Sequence, residues 1–568
     1  MRYRGRPRPQ PLRTLVLLLA GMGLGLWIAA AFPAFHLWGL ALMGLCLFGI
    51  TRHLVIFAAQ GLEIATQINL IHESRILSGG YGQARLAARG DPFVRSMIEA
   101  RRGLFIGTLE GKKLFYDPFA RGNGHMLAYA PARTGKTTSL VIPALLHWTS
   151  GSVIVTDVKG ELTALTASWR RKDGQRVLIL NPFGVRGIPG LRFNPLRILV
   201  EDVMRNRARD LHALCKLIAL QLVPERGSAV EAGDGLFFRN GGRRLIVTFL
   251  LYLAAFEPEH CTLPGLRACV WASDAQKFAM AAKMQGSPLF SGLLREYGNA
   301  LADGLAPDYV KTFGAFRDHA MHALDLYEAH SDFGRSLTAS DFSLGDVCDG
   351  RTTLYLILPE SRLETHGAWM GLIITLLLET VAASPGMHER NTRLLFLLEE
   401  MGNLGRLPNL GKALSLLPGK GVRAWMIFQS RRQPIELYGP NLAGLIEEQS
   451  SLIAAWSIRA ESDRKAWSAR IGNATRKGRS VSRESENLFA PWRLSVAERG
   501  FPVLSPDEIG RMPEDEQLIA LAGRPVIRAR KRPYFADPLW SKRAALTGAN
   551  KKTCASSAKG NRVQGERA

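Results

Sequence analysis

From Thr14 to Thr51 the chain carries no Asp, Glu, Lys or Arg, and this run restricts the fold more than any other feature. A single helix of that length would reach about 57 Å, nearly two hydrocarbon cores. Pro33 interrupts the run near its middle, so two membrane spans joined by a tight turn around 32-FPAF-35 are expected. The second span continues past Arg52 through 54-LVIFAA-59. The uncharged stretch is too long for a cleaved leader. Arg2, Arg4, Arg6, Arg8 and Arg13 precede it, and no acidic residue appears before Glu63. Positive-inside bias then places the N-terminus in the cytoplasm, and a hairpin returns the chain to that side, leaving almost nothing outside.

At 568 residues the chain is too long for one domain, and two to four are expected. The formal net charge of +24 speaks to partners rather than fold, and it favours nucleic acid or anionic lipid. Cys46, Cys215, Cys261, Cys269, Cys348 and Cys554 are scattered, without a C-x-x-C pair. That pattern suits reduced thiols and argues against a disulfide framework or a structural zinc site.

The segment 130-APARTGKTTSLVIPAL-145 carries the Gly-Lys-Thr of a phosphate-binding loop. An apolar run, 124-GHMLAYA-130, reads as a strand before it, and 137-TTSLVIPALL-146 reads as a buried helix start after it. In such a loop the backbone of Ala130, Pro131, Ala132, Arg133, Thr134, Gly135, Lys136, Thr137 and Thr138 surrounds nucleotide phosphates. Lys136 would reach the β- and γ-phosphates, and Thr137 would place its hydroxyl on Mg²⁺. Ala130 stands where the pattern asks for glycine, which is tolerable if that position needs only a negative φ. Pro131 pushes Ala130 toward an extended conformation, as a strand end requires.

Two further strands end in polar residues. The run 152-SVIVTDVKGEL-162 places Asp157, Lys159 and Glu161 at a strand end, where α/β folds bind ligands. The run 393-RLLFLLEEMGNLGRLP-408 ends in Glu399 and Glu400, one carboxylate for Mg²⁺ and one for the attacking water. A third strand, 424-AWMIFQ-429, ends at Gln429, whose amide would sense the γ-phosphate.

The order 131-PARTGKT-137, 156-TDVKGEL-162, 181-NPF-183 with 193-FNPL-196, 396-FLLEEMGNLGRLP-408 and 428-FQS-430 resembles the type IV secretion system coupling protein family. These are TraG-like ATPases of conjugation, related to FtsK and HerA motors. The resemblance extends through 467-WSARIGNATRKGRSVS-482 and 501–540, and with the hairpin it covers 12–543. It implies an α/β fold: a RecA-like P-loop NTPase with a parallel core sheet, an inserted all-α domain and an N-terminal two-helix transmembrane hairpin. It also implies an ATP- and Mg²⁺-dependent, inner-membrane homohexamer whose bulk is cytoplasmic. Its implied partners are a relaxase (relaxosome) bound to single-stranded DNA, the inner-membrane components of the secretion channel, and the anionic membrane. By position Glu400 matches the catalytic glutamate and Gln429 the sensor glutamine. Glu399 stands where the family commonly has Asp, one methylene further out. The outer loop of the hairpin is also far shorter than in many relatives.

The implied division is 1–60 hairpin, 61–198 first nucleotide-binding part, 199–340 all-α domain, 341–543 second nucleotide-binding part, and 544–568 disordered basic tail. Within the all-α part, 201-EDVMRNRARDLHALCKLIALQL-222 has helical spacing, and 236–256 reads as a buried helix too short in its apolar part to cross a bilayer. The basic stretches 470-RIGNATRKGRSVSR-483 and 524-RPVIRARKR-532 would neutralise phosphates without reading sequence, or would simply be solvated. Arg406 and Arg423 are the candidates for an arginine finger supplied to a neighbouring subunit. Two other readings stay open: a double-stranded DNA translocase of the FtsK/HerA type, and a non-hydrolysing membrane docking receptor with a degenerate nucleotide site.

Overall fold

The computed structural model describes residues 11–73, 80–204, 208–224, 234–383, 392–482 and 493–546. Arg2 to Arg8 and all but the first residues of the expected 544–568 tail lie outside them. The chain forms two compact units, Met1–Arg85 with Gly472–Val503, and Leu86–Ile471 with Leu504–Ala568. This division cuts across the one read from the sequence by joining 472–503 to the N-terminal region.

In the first unit, helices Pro11–Ala31 and His36–Glu73 are joined by a single 3₁₀ turn at Pro33–Phe35, as the proline implied. The two helices approach closely where both lack a side chain. A Cβ on Gly25 would lie 2.9 Å from the Gly39 carbonyl oxygen, and one on Gly39 2.6 Å from that of Gly25. Their outer faces expose Leu17, Trp27, Trp38, Phe48 and Phe57, and both are long and apolar enough to cross a membrane. The unit also contains a two-stranded antiparallel ribbon. Its strands, Asn473–Ser482 and Arg493–Pro502, pair along their whole length. Residues 81–84 bond to its first strand through a Gln83–Ala474 bridge and a hydrogen bond from Tyr81 N to Thr475 Oγ1.

The second unit is built on an eleven-stranded sheet. Its strands are β1 Leu104–Leu109, β2 Lys112–Tyr116, β3 His125–Tyr129, β4 Ser152–Asp157, β5 Arg176–Leu180, β6 Thr352–Ile357, β7 Leu394–Leu398, β8 Val422–Phe428 and β9 Ser450–Ala455. After the ribbon strands, β10 and β11, come β12 Glu516–Leu521 and β13 Ile527–Arg530. The order is β2-β1-β13-β12-β9-β3-β8-β7-β4-β6-β5. The segment from β9 to β5 is parallel, whereas β12, β13, β1 and β2 add antiparallel pairs. Every residue of β3, β4, β6, β7 and β8 is buried, which is why these strands read as continuous apolar runs. The connection from β3 to β4 passes over β8 and β7, which leaves a crevice at the carboxyl ends of β3 and its neighbours.

Between β5 and β6 the chain is helical, including Ala208–Leu222 and Asp234–Phe256. The latter buries Leu245 to Ala254, as expected of a core helix. A third helix, Leu363–Ala383, is also apolar enough to span a bilayer, but most of its residues, Trp369 and Leu372 to Leu378 among them, are buried within this unit. Composition alone does not separate it from the N-terminal pair; its burial does.

Candidate functional site

The loop after β3 holds the left-handed backbone that a phosphate loop needs at Arg133 (φ 62°) and Gly135 (φ 81°), and not at Ala130. Ala130 is fully buried, and its N–H donates to the Phe428 carbonyl at 2.8 Å, which ties the ends of β3 and β8 together. A Cβ is no obstacle to that geometry. From outside the loop, Trp456 Nε1 donates to Thr134 Oγ1 at 2.9 Å, and Lys531 Nζ donates to the Thr134 carbonyl at 2.6 Å. Burial lowers the Lys531 pKa, with Glu514 and Asp515 opposing that shift.

The helix after the loop opens with a π turn at Thr137–Val141 before the α-helix Ile142–His147. Pro143 fits this change: it has no N–H to return to Ser139, and its ring crowds that carbonyl, while Ile142 N closes the wider turn on the Thr137 carbonyl. The proline in 137-TTSLVIPALL-146 was the available signal for the π turn within the expected buried helix start. At the far end, Arg170 is fully buried and donates to the Leu145 and Trp148 carbonyls at 2.9 Å each, while Arg543 donates to that of Leu146 at 2.5 Å. Both cations thus satisfy the carboxyl end of the helix that carries the loop.

The motif residues of β3, β7 and β8 meet in front of this loop. The Lys136 ammonium, only 6 % exposed, forms an ion pair with Glu400. The Thr137 hydroxyl donates to Glu399 Oε1. Gln429 Nε2 donates to Glu400 Oε2 at 2.9 Å. Glu400 itself adopts φ 56°, a left-handed conformation unusual for a residue with a side chain. Glu399 is buried, and this pushes its pKa from 4.5 up to about 7. Thr137 and Lys136 oppose that shift, and Asp157 and Glu400 add to it. Thr156, not singled out from the sequence, donates from Oγ1 to the Glu399 carbonyl at 2.7 Å and fixes the end of β7.

Other expected residues are engaged differently. Asp157 is buried and accepts from the Thr163 N–H and hydroxyl, both at 2.7 Å, so it holds the start of the helix Glu161–Lys172. Lys159 pairs at 3.4 Å with Glu360 on the surface. Arg423 requires a correction. It sits at the amino end of β8, opposite the loop, and is 8 % exposed. Its guanidinium donates to the carbonyls of Pro118, Pro418, Val422 and Asn123. A side chain buried and bonded in this way does not reach a neighbouring subunit. Arg406 is half-buried in the loop after β7.

The basic stretch 524–532 is largely paired with carboxylates of the same chain. Arg528 pairs with Glu516 at 2.6 Å, Arg530 with Asp515 at 3.8 Å and Arg532 with Asp537 at 3.3 Å, and Lys531 serves the loop. In the other stretch Arg470 is taken by Glu447, Arg476 is exposed, and Arg483 lies outside the described residues. Glu447 was not foreseen either; it also binds Tyr129 and Arg431 beside the loop.

Residues 88–561 match the family model described as Type IV secretory system Conjugative DNA transfer. Protein VirD4 of Agrobacterium fabrum is 26% identical over 502 residues, covering 85% of this chain and 70% of its own. The conjugal transfer protein TraG of Escherichia coli is 25% identical over 530 residues, covering 82% and 78%. Among solved structures, the unbound bacterial conjugative coupling protein TrwBdeltaN70 superposes with a TM-score of 0.55 at 16% identity, over 79% of this chain and 93% of that one. Plasmid coupling protein TrwB in complex with ADP and Mg²⁺ gives 0.54 at 16% identity, over 79% and 94%. At these identities the structural likeness speaks for the fold, an α/β P-loop NTPase.

Proposed function

Because the chain belongs to the Type IV secretory system conjugative DNA transfer family, we propose that it is a membrane-anchored ATPase that drives a relaxase–single-stranded DNA complex into a type IV secretion channel. The observation that carries this reading is the convergence of Lys136, Thr137, Glu399, Glu400 and Gln429 at the carboxyl ends of β3, β7 and β8. Solved TrwB complexes with ADPNP and with ADP and Mg²⁺ support nucleotide as the ligand.

The residues fit a magnesium nucleotide. The loop N–H groups and Lys136 would hold the phosphates, while the Thr137 hydroxyl and Glu399 would hold Mg²⁺, which neutralises phosphate charge. Lys136 exchanges its carboxylate partner for phosphate oxygens. Glu400 is then free to take the proton of the attacking water, with Gln429 holding its second oxygen in place.

Six copies would form a ring around a channel, with Arg406 the remaining candidate for a guanidinium supplied to a neighbour. The helical part between β5 and β6 would handle the substrate, and the N-terminal helices would anchor the assembly in the inner membrane with its bulk in the cytoplasm. Hydrolysis by the full chain in detergent, with single- or double-stranded oligonucleotides, tests the reading. Greater stimulation by single strands is expected. Stimulation by duplex alone favours a double-strand translocase, and ATP binding without turnover favours a docking receptor.

A further inference from the structure

Beside the residues already assigned, one carboxylate receives three donors from three separate parts of the fold. Glu447, in the helix Pro440–Glu448, accepts at Oε1 from the Tyr129 hydroxyl at 2.9 Å and from Arg431 Nε at 2.7 Å. At Oε2 it accepts from Arg470 Nη2 at 2.7 Å. Its side chain is 15 % exposed, so these bonds are only partly shared with water.

The donors occupy telling positions. Tyr129 is the last residue of β3 and immediately precedes Ala130. Arg431 follows Gln429 by two residues, just past the end of β8. Arg470 lies in the last turn of the helix Glu461–Ile471. The two strand ends are already tied to each other through Ala130 N and the Phe428 carbonyl, and Gln429 N donates to Gln433 Oε1 at 2.7 Å. What remains to be fixed is the path of the backbone from Gln429 to Arg431, on which the placement of the Gln429 carboxamide against Glu400 depends. A cavity of about 250 Å³ opens beside that path, lined by Pro131, Gln429, Arg431 and Trp456. Packing on that side therefore leaves the Gln429 turn room to move, and the Arg431–Glu447 bond restrains it together with the bonds of the Arg431 backbone to Asp463 and of Gln429 N to Gln433.

We propose that Glu447 is a positioning residue for hydrolysis: by holding Arg431 and Tyr129 together it keeps Gln429 on Glu400. It contributes to the chemical step and not to nucleotide binding, because none of its bonds reaches the loop residues from Arg133 to Thr137. The proposal rests on the ATPase reading.

The test uses the full chain in detergent, with ATP turnover, binding of a fluorescent ATP analogue and thermal unfolding measured on the same samples. Glu447→Gln keeps the volume and one acceptor oxygen while removing the charge that holds two arginines. Its kcat is expected to fall at least about tenfold with analogue affinity within about twofold. Tyr129→Phe, which removes only one hydroxyl, is expected to lower kcat by about threefold. Parental kcat in Glu447→Gln overturns the proposal, as does a parallel loss of affinity and thermal stability, which marks a structural role. A parent that binds the analogue without hydrolysing ATP overturns the ATPase reading and this proposal with it; an active parent with an indifferent Glu447→Gln overturns this proposal alone.

Discussion

Lys136 and Glu400, 264 positions apart in the chain, meet as an ion pair where β3 and β7 end side by side with β8. Each ion satisfies the other, so neither is left as an uncompensated charge in a site where Lys136 is nearly inaccessible. In the proposed reading, phosphate binding would displace the carboxylate and free Glu400 for the water.

Lys531 and Trp456 hold the loop from outside through Thr134. Removing a charged hydrogen bond of this kind costs about 1.5–3 kcal/mol, so Lys531→Met is expected to weaken ATP-analogue binding about tenfold or more. Fluorescence titration measures it, and unchanged affinity would mean that the loop keeps its shape unaided.

Glu399 makes a pH-dependent prediction. Its folded pKa of about 7 lies above the ordinary 4.5, so between these values the folded chain keeps a proton that the unfolded chain releases. Stability from this group is therefore full below about pH 4.5 and falls as pH rises through about 7, by roughly 3 kcal/mol. Glu399→Gln removes the effect. It is expected to raise the melting temperature relative to the parent more at about pH 8 than at about pH 5. The comparison with the parent matters, because buried His125, with its pKa lowered to about 4, shifts the same pH range in the opposite direction. An equal difference at both pH values contradicts the assignment.

Arg423 is expected to be structural. Arg423→Ala removes a donor from four backbone carbonyls, of which that of Pro418 keeps the Gly421 N–H, and should cost about 3 kcal/mol or more, read as a lower melting temperature. Turnover by the protein that remains folded should stay within about twofold of the parent. Lost turnover at parental stability would return Arg423 to a catalytic role.

Ala130→Gly tests whether the missing glycine matters. The alanine is buried at a position without positive φ, and glycine there gains nothing sterically. The variant should lose about 0.5–1 kcal/mol of stability through backbone entropy and turn over no faster. Faster turnover would show that the alanine impairs the loop.

Four strands of the parallel half, β3, β4, β7 and β8, were legible because they are buried on both faces and polar residues stand at their carboxyl ends, as in Glu399, Glu400 and Gln429. The hairpin was legible because the run from Thr14 to Thr51 carries no charge and Pro33 breaks it near its middle. The sequence did not disclose β5, β6 and β9, the antiparallel strands β1, β2, β12 and β13, or the Glu447 cluster. Those depend on contacts between residues hundreds of positions apart, such as Tyr129 with Glu447 and Thr134 with Lys531. Arg423 misled for a related reason. Its basic side chain looks available in the sequence, but the Pro118 and Asn123 carbonyls that claim it become neighbours only on folding.

The most direct measurement is ATP turnover by the full chain and by Glu400→Gln, with ATP-analogue binding followed in parallel. The glutamine keeps the contact with Gln429 but cannot accept the proton of water, so turnover should fall at least about a hundredfold while binding persists. Parental turnover in Glu400→Gln, or a parent that binds the analogue without hydrolysing ATP, would contradict a hydrolytic site built on Lys136, Glu400 and Gln429.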